Sequence, residues 1–195
     1  MKISIVIPCY NEKKTLESLL NKVKSNCDFE HEVIIIDDFS NDGSRDILNN
    51  LNQNIYKVLL NEKNFGKGYS LRKGFENASG DIIIIQDADL EYDPRDYYKL
   101  IKPFLNKNTK VVYGSRVLGR KKKINLFNIN NFPKNFRIFG NFVLTKISNI
   151  INGQSLTDVH TCYKIFKKDV FFKLKLQENG FSFCPEVTTK LANLS

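Results

Sequence analysis

No stretch of this chain approaches the roughly 20 consecutive apolar residues that a membrane-spanning helix needs, so no segment is expected to cross a bilayer. The opening Met1–Ile7 is too short for a secretory leader and is interrupted by Pro8, so no signal peptide is expected either. Cys9, Cys27, Cys162 and Cys184 form no C-x-x-C pair and no zinc spacing. They read as scattered, reduced thiols of a cytoplasmic protein. Two phosphate-binding signatures are also missing. The G-x-x-x-x-G-K-[ST] loop is absent, and no G-x-G-x-x-G follows the first apolar run, which argues against a nicotinamide-dependent oxidoreductase. No internal repeat and no domain linker interrupts the chain.

What remains is the composition of one globular domain. The 195 residues are long enough to bury a core, and 42% hydrophobic residues with 15 phenylalanines argue against disorder. A net charge of +9 raises the question of an anionic partner: nucleic acid, an acidic membrane surface or a phosphorylated substrate. The charge is concentrated. Arg116, Arg120, Lys121, Lys122 and Lys123 cluster, Lys134 and Arg137 follow, and the first hundred residues are mixed in sign. A solvated loop is the plain alternative for this cluster.

Strands and helices are expected to alternate. Lys2 to Pro8, Glu32 to Asp37 and Ile55 to Leu60 read as strands, as do Asp81 to Gln86 and Lys110 to Tyr113. The four isoleucines of the fourth mark a buried parallel strand, covered on both faces. Between them lie a helix over Glu12 to Lys24, one capped by Asn41 or Asp42, one after the turn at Asn64–Gly68, and one opened by Pro94 that runs to about Asn106. Such a rhythm predicts an α/β fold with a doubly wound, mostly parallel sheet. Beyond Gly114 the sequence predicts a basic loop or broken helix (Gly119 to Pro133), a helix over Asn135 to Ile151, a strand over Thr161 to Phe166 and a helix from Pro185. That last helix reaches Ser195 without a stop signal, as in a chain truncated at its C-terminus.

Ligands of open α/β sheets bind at the carboxyl ends of the strands. Here the first strand ends in Pro8-Cys9-Tyr10-Asn11-Glu12, the second in Asp37-Asp38-Phe39-Ser40, and the fourth in Asp87-Ala88-Asp89. Carboxylates and amides can hold a base and ribose, Tyr10 can stack, and Asp87 and Asp89 can share one hard divalent cation under a diphosphate. A lone D-x-D serves as readily for a cap or a polar turn, so its weight comes from the neighbouring strand ends.

Taken together, Ile7-Pro8-Cys9-Tyr10-Asn11-Glu12, Asp37-Asp38-Phe39-Ser40-Asn41-Asp42-Gly43-Ser44, Asn64-Phe65-Gly66-Lys67-Gly68, Asp87-Ala88-Asp89 and Gly114-Ser115-Arg116 resemble the family 2 glycosyltransferases in order and spacing. Arg137 with Asn141, Leu156-Thr157-Asp158 through Lys164, and Phe183-Cys184-Pro185-Glu186 continue the likeness. The branch they resemble is the dolichol- or polyprenyl-phosphate mannosyl- and glucosyltransferases. The resemblance implies a GT-A fold over residues 1–195, with nucleotide binding in 1–113 and acceptor binding in 114–195. It also implies a nucleotide-sugar donor (GDP-mannose or a UDP-hexose), inversion at the anomeric carbon, and Mg²⁺ or Mn²⁺ as cofactor. Carried over by position, Pro8, Tyr10, Glu12, Asp38, Lys67 and Asp87 contact the donor, while Asp87, Asp89 and Glu91 surround the metal. Arg116, Arg137 and Asn141 meet the acceptor. The chain departs from the family pattern at Glu91, where many relatives have Gln, at Phe39 and Cys162, commonly Gly, and at Asn141, often Ser.

Three chemistries stay open. A hydroxyl acceptor needs a general base, for which Asp158 leads and Glu186 follows. A polyprenyl phosphate arrives largely ionised, with a second pKa of roughly 6, and needs cations such as Arg116, Arg137 and Arg120 more than a base. Basic segment 116–137, with Ile124, Leu126 and Phe127, would then touch the cytoplasmic face of a membrane. The third is a nucleic-acid-binding or non-catalytic scaffold; acidic strand ends and the lack of interleaved aromatics argue against nucleic acid. His160 is expected to be structural.

Overall fold

The computed structural model describes residues 1–118 and 132–194, the side chains of 132–137 excepted. Six strands, β1 (Ile3–Cys9), β2 (His31–Asp37), β3 (Tyr56–Leu60), β4 (Ile82–Ile85), β5 (Val111–Tyr113) and β6 (Lys164–Lys167), form one sheet in the order β3-β2-β1-β4-β6-β5. The pairings among β3, β2, β1 and β4 are parallel, whereas β6 runs antiparallel to both β4 and β5. The isoleucine strand is therefore parallel to one neighbour only. Its sequence does not distinguish the two cases, because burial on both faces removes the polar alternation in either.

Alternate residues divide the core in two. Ile3, Ile5, Ile7, Ile35, Ile82 and Ile84 pack on the face covered by α1 (Leu16–Ser25), through Leu16, Leu19, Leu20 and Val23. The intervening Val6, Ile34, Ile36, Ile83 and Ile85 meet Leu71 and Phe75 of α3 (Lys67–Glu76) on the other. A short α2 (Ser44–Asn49) precedes β3. The single helix expected from Pro94 is broken: a 3₁₀ turn at Pro94–Asp96, α4 (Tyr97–Ile101), then a second 3₁₀ turn at Lys102–Leu105. Pro103 accounts for the break, since it lacks the N–H and its ring crowds the preceding turn. The helix expected from Glu12 begins only at Leu16, after a turn in which Thr15 and Leu16 donate to the Glu12 carbonyl.

Helix α5 (Phe132–Asn152) has its polar stripe inward. Asn141, Thr145 and Asn149, four residues apart, hydrogen-bond Asp158, the Val159 N–H and Leu156 respectively. Its outer face exposes Phe139, Phe142, Ile147, Ile150 and Ile151. Two helices complete the second layer, α6 (Lys168–Leu174) and α7 (Phe183–Ala192). The sequence reading missed α6 altogether; it follows β6 with no intervening loop residue to announce it.

Candidate functional site

Register places the strand ends side by side. Cys9 of β1 lies opposite Asp37 of β2, and β4 runs along the other edge of β1. The loops that follow therefore converge on one cavity of about 360 Å³, lined by Pro8, Tyr10, Glu12, Asp38, Lys67, Asp87 and Asp89. All six residues expected at a donor, and two of the three acidic residues expected at a metal, Asp87 and Asp89, share this cleft. Asn64, Gly66, Ser70 and Phe181 also line it.

Each side chain is held. Asp38 is buried and accepts from Asn61 Nδ2 at 2.8 Å, the Phe65 N–H at 2.9 Å and the Gly66 N–H at 2.7 Å, which anchors the turn into α3. Its neighbour Asp37 takes Arg45 at 2.7 Å. The first residue of α3, Lys67, reaches across to Asp87 at 2.6 Å and to Cys162 Sγ at 3.2 Å. The next N–H groups of α3, from Gly68 and Tyr69, are taken by the Asn179 carbonyl. In consequence the positive charge offered to the cleft by its described lining is that of Lys67, not of the helix start. Gln86 sets the acidic turn: its amide donates to the Asp87 and Tyr92 carbonyls, and its oxygen accepts from Tyr97 and Tyr163 hydroxyls at 2.8 and 2.9 Å. A buried polar side chain with every partner supplied is a rigid mount.

The donor set suits a hard cation. Asp87 and Asp89 offer oxygen ligands one residue apart, and Asp89 is exposed, with one backbone N–H, from Glu91, as its hydrogen-bond partner at 3.0 Å. Burial raises the Glu12 carboxyl against the Thr15 hydroxyl that hydrogen-bonds it at 2.8 Å, and the charges of Asp89 and Asp87 raise it further. Among the described residues no three His, Cys, Asp or Glu side chains gather into a cage. Two carboxylates completed by substrate phosphates is the usual Mg²⁺ arrangement, and the residues present fit it.

A second cluster adjoins the first. Arg116 holds Asp158 with Nε at 2.8 Å, and Asn141 donates to the same carboxylate at 3.0 Å. Glu91, expected near the metal, instead pairs with Arg116 at 3.3 Å and lines a neighbouring hollow with it. Burial and the nearby cation Lys164 push the His160 imidazole toward its neutral form. Glu186 stands elsewhere: it accepts from the Gln177 and Glu178 N–H groups and pairs with Lys190 at 2.8 Å. The side chain of Arg137, and Arg120 and Lys121 to Lys123, lie outside the described residues. Asn61, Gln86 and Cys162 were not read from the sequence as site residues. Gln86 directly precedes Asp87, whereas only the fold brings Asn61 against Asp38 and Cys162 against Lys67.

Residues 4–174 match the family model Glycosyl transferase family 2. The chain is 27% identical over 197 residues to an undecaprenyl-phosphate 4-deoxy-4-formamido-L-arabinose transferase of Aeromonas hydrophila, covering 97% of this chain and 56% of that protein. It is 30% identical over 193 residues to a dolichol-phosphate mannosyltransferase of Pyrococcus furiosus, covering 97% and 53%. The chain thus spans about half the length of the curated relatives it matches. Glucosyl-3-phosphoglycerate synthase of Mycobacterium tuberculosis, solved with Mn²⁺, UDP and phosphoglyceric acid, superposes with a TM-score of 0.70 at 18% identity, over 95% of this chain and 62% of that one. The sheet and its helices are of the GT-A type.

Proposed function

The chain belongs to glycosyl transferase family 2, and from that premise we propose that it moves a hexose from a nucleotide sugar onto a polyprenyl phosphate, with inversion at the anomeric carbon. The observation that carries this reading is the meeting of Glu12, Asp38, Lys67, Asp87 and Asp89 in one cleft, with the Arg116–Asp158 pair beside it. Two relatives named for polyprenyl-phosphate transfer support the acceptor class.

Cleavage of the anomeric bond builds negative charge on the leaving diphosphate and oxocarbenium character on the sugar. Lys67 meets the first need by exchanging Asp87 for a phosphate oxygen. A Mg²⁺ or Mn²⁺ ion held by Asp87, Asp89 and the diphosphate would add Lewis-acid stabilisation. Asp38 keeps the turn into α3 fixed, and Tyr10, about half exposed, offers a face to the base. Arg116 would draw in the acceptor phosphate by a charge-assisted, bidentate contact, with Asn141 alongside and Arg137 on the same helix.

The state of Asp158 favours a phosphate acceptor over a sugar hydroxyl. Its carboxylate is engaged by Arg116 and Asn141, which suits it to orienting Arg116 rather than to taking a proton. The exposed apolar face of α5 and the basic run before it favour contact with an anionic membrane surface, where each basic residue is worth about 1 kcal/mol. No helix among the described residues is long and apolar enough to cross a membrane.

Calorimetry with GDP-mannose and UDP-glucose, with and without Mn²⁺, tests the donor half. One nucleotide sugar should bind, more tightly with the metal, and Asp89→Ala should abolish the metal's effect. Transfer of labelled hexose to undecaprenyl phosphate tests the acceptor half. Binding of neither donor would refute the reading.

A further inference from the structure

Phe181 lines the same cleft as Lys67 and Asp87, yet it exposes 84% of its surface. Among the described residues it joins neither apolar core. A single exposed apolar side chain is ordinary; what sets this one apart is how firmly the chain beside it is fixed to the cleft wall. The Asn179 carbonyl accepts from the Gly68 N–H at 2.6 Å and from the Tyr69 N–H at 3.2 Å. Arg72, one turn further along α3, donates to the Glu178 carbonyl and to the Asn179 side-chain oxygen. From the other side Glu186 accepts from the Gln177 and Glu178 N–H groups.

Two glycines permit this approach. A Cβ at Gly66 would stand 2.5 Å from the Asn179 carbonyl oxygen, and one at Gly68 would overlap the carbonyl oxygen of Glu178. A larger residue at either position would push the two backbones apart. The glycines flank Lys67, so the turn that presents Lys67 to Asp87 also seats residues 178–179, and Phe181 follows at the cavity.

We infer that Phe181 is a further donor-binding residue, whose ring packs against the nucleobase in the cavity it shares with Tyr10. The inference rests on the transferase reading above and deepens it. The lining divides by chemistry. Asp87, Asp89 and Lys67 make a charged end suited to a diphosphate and its metal, whereas Tyr10 and Phe181 are the aromatic side chains of the described lining. A phenyl ring carries a negative face and no polar hydrogen, so it is a poor partner for a phosphate. Every nucleobase has a π-face, and stacking on an aromatic side chain suits it whatever its identity. Tyr10 comes from the end of β1 and Phe181 from the segment seated on α3, so two separate elements each bring a ring to one cavity. The anchoring of residues 177–179 spares the donor most of the cost of ordering that segment on binding.

The chain contains no tryptophan, so Phe181→Trp installs a single fluorescent indole at the position in question. Titration of the full chain carrying Phe181→Trp with UDP and with GDP, in Mg²⁺, should quench that emission with the nucleotide that binds. Inorganic pyrophosphate, which has no base, should leave it unchanged. By calorimetry Phe181→Ala should bind the same nucleoside diphosphate about 5- to 100-fold more weakly, the range that loss of one base–aromatic stack allows. Its pyrophosphate affinity and thermal midpoint should stay at the parent's values, and Phe181→Tyr should restore nucleotide binding. Undiminished nucleotide affinity in Phe181→Ala would overturn the inference, as would an equal loss for pyrophosphate, which would mean a displaced segment. A loss seen with the nucleotide sugar alone, and not with the nucleoside diphosphate, would put the ring at the hexose and overturn it too. The two readings fail separately: a parent chain that binds neither UDP nor GDP refutes the transferase and this inference with it, whereas a parent that binds one of them no better than Phe181→Ala refutes the inference only.

Discussion

Arg116 grips Asp158 at both carboxylate oxygens, with Nε 2.8 Å from Oδ2 and an Nη 3.0 Å from Oδ1. The carboxylate is fully buried and the guanidinium keeps about a quarter of its surface exposed. One end of the pair is thus anchored and the other faces outward. For a phosphate acceptor that is a useful polarity, because the anion meets a cation already oriented from behind.

Asp158→Asn should separate the two acceptor chemistries. With a polyprenyl phosphate, the variant keeps the shape of the site and loses only part of Arg116's orientation. Its rate should fall less than about 10²-fold, the low end of what removing a general base costs. A larger fall, measured by hexose transfer at saturating donor, would return Asp158 to the role of base.

The same residue gives a pH prediction. Burial alone would raise the Asp158 carboxyl, but the Arg116 hydrogen bonds and charge, with Asn141, outweigh it and hold it below the usual carboxylate range. A group lowered on folding stabilises the fold above its unfolded pKa, about 3.9 for Asp, and loses that contribution as pH falls through the folded value. Urea midpoints between pH 6 and 3 should therefore drop more steeply for the parent chain than for Asp158→Asn. Equal slopes would show that Asp158 is not stabilised by its partners.

Phe39 sits at φ +69° on the turn after β2, and it is nearly half exposed. A left-handed conformation costs an L-residue about 1–2 kcal/mol. Stacking of Arg45 on the ring, 5.3 Å from its centroid, returns about 0.5–1 kcal/mol. Phe39→Gly should thus be neutral or stabilising by up to about 1 kcal/mol, whereas Phe39→Ile, β-branched, should destabilise. Urea unfolding of both variants decides it; loss of stability in Phe39→Gly would mean that the ring, not the backbone, governs this turn.

The strand ends were legible because burial on both faces writes long apolar runs, and the residues that end such runs must be polar. Pro8, Asp38 and Asp87 could be placed on one edge without coordinates. Lys67 could be placed near it, since Gly66 and Gly68 mark the turn. The antiparallel β6 was not legible, because Lys164–Lys167 carries no sign of its direction. Nor was the contact of Cys162 with Lys67, which depends on how the segment before β6 returns to the sheet. Glu186 reads as a candidate base by position, yet its helix-start place is spent on holding the 177–178 backbone. A carboxylate in a first turn is favoured there by the helix dipole alone.

Two glycines in helices should respond oppositely to alanine. A Cβ at Gly74 would lie 2.4 Å from Val6 Cγ1 and 2.6 Å from Ile36 Cδ1, both in the core under α3. Such overpacking costs about 1–3 kcal/mol, and the displaced α3 carries Lys67 with it. Gly74→Ala should therefore lower both stability and donor affinity. Gly140 of α5 has no described atom within 4 Å of its Cβ position. There Gly140→Ala should add about 0.5–1 kcal/mol. Thermal unfolding of both, with a donor titration of Gly74→Ala, checks the pair; a stable Gly74→Ala with weakened binding would localise the effect to Lys67.

The outer face of α5 predicts how the chain meets a bilayer. A stable surface helix ordinarily turns its apolar side inward, but here Asn141, Thr145 and Asn149 face the 156–159 loop while Phe142, Ile147 and Ile150 face out. All three residues of the polar stripe hold the loop that carries Asp158, so α5 cannot roll to bury its apolar side without releasing that loop. An anionic membrane could cover it instead, steered by Lys121, Lys122 and Lys123 just before the helix. Co-sedimentation with phosphatidylglycerol vesicles should show binding that weakens as salt rises and falls sharply in a Phe142→Ser/Ile150→Ser double variant. Donor affinity should be untouched by that variant, since neither residue lines the cleft. Binding that survives both high salt and the double variant would place the membrane contact on another surface of the protein.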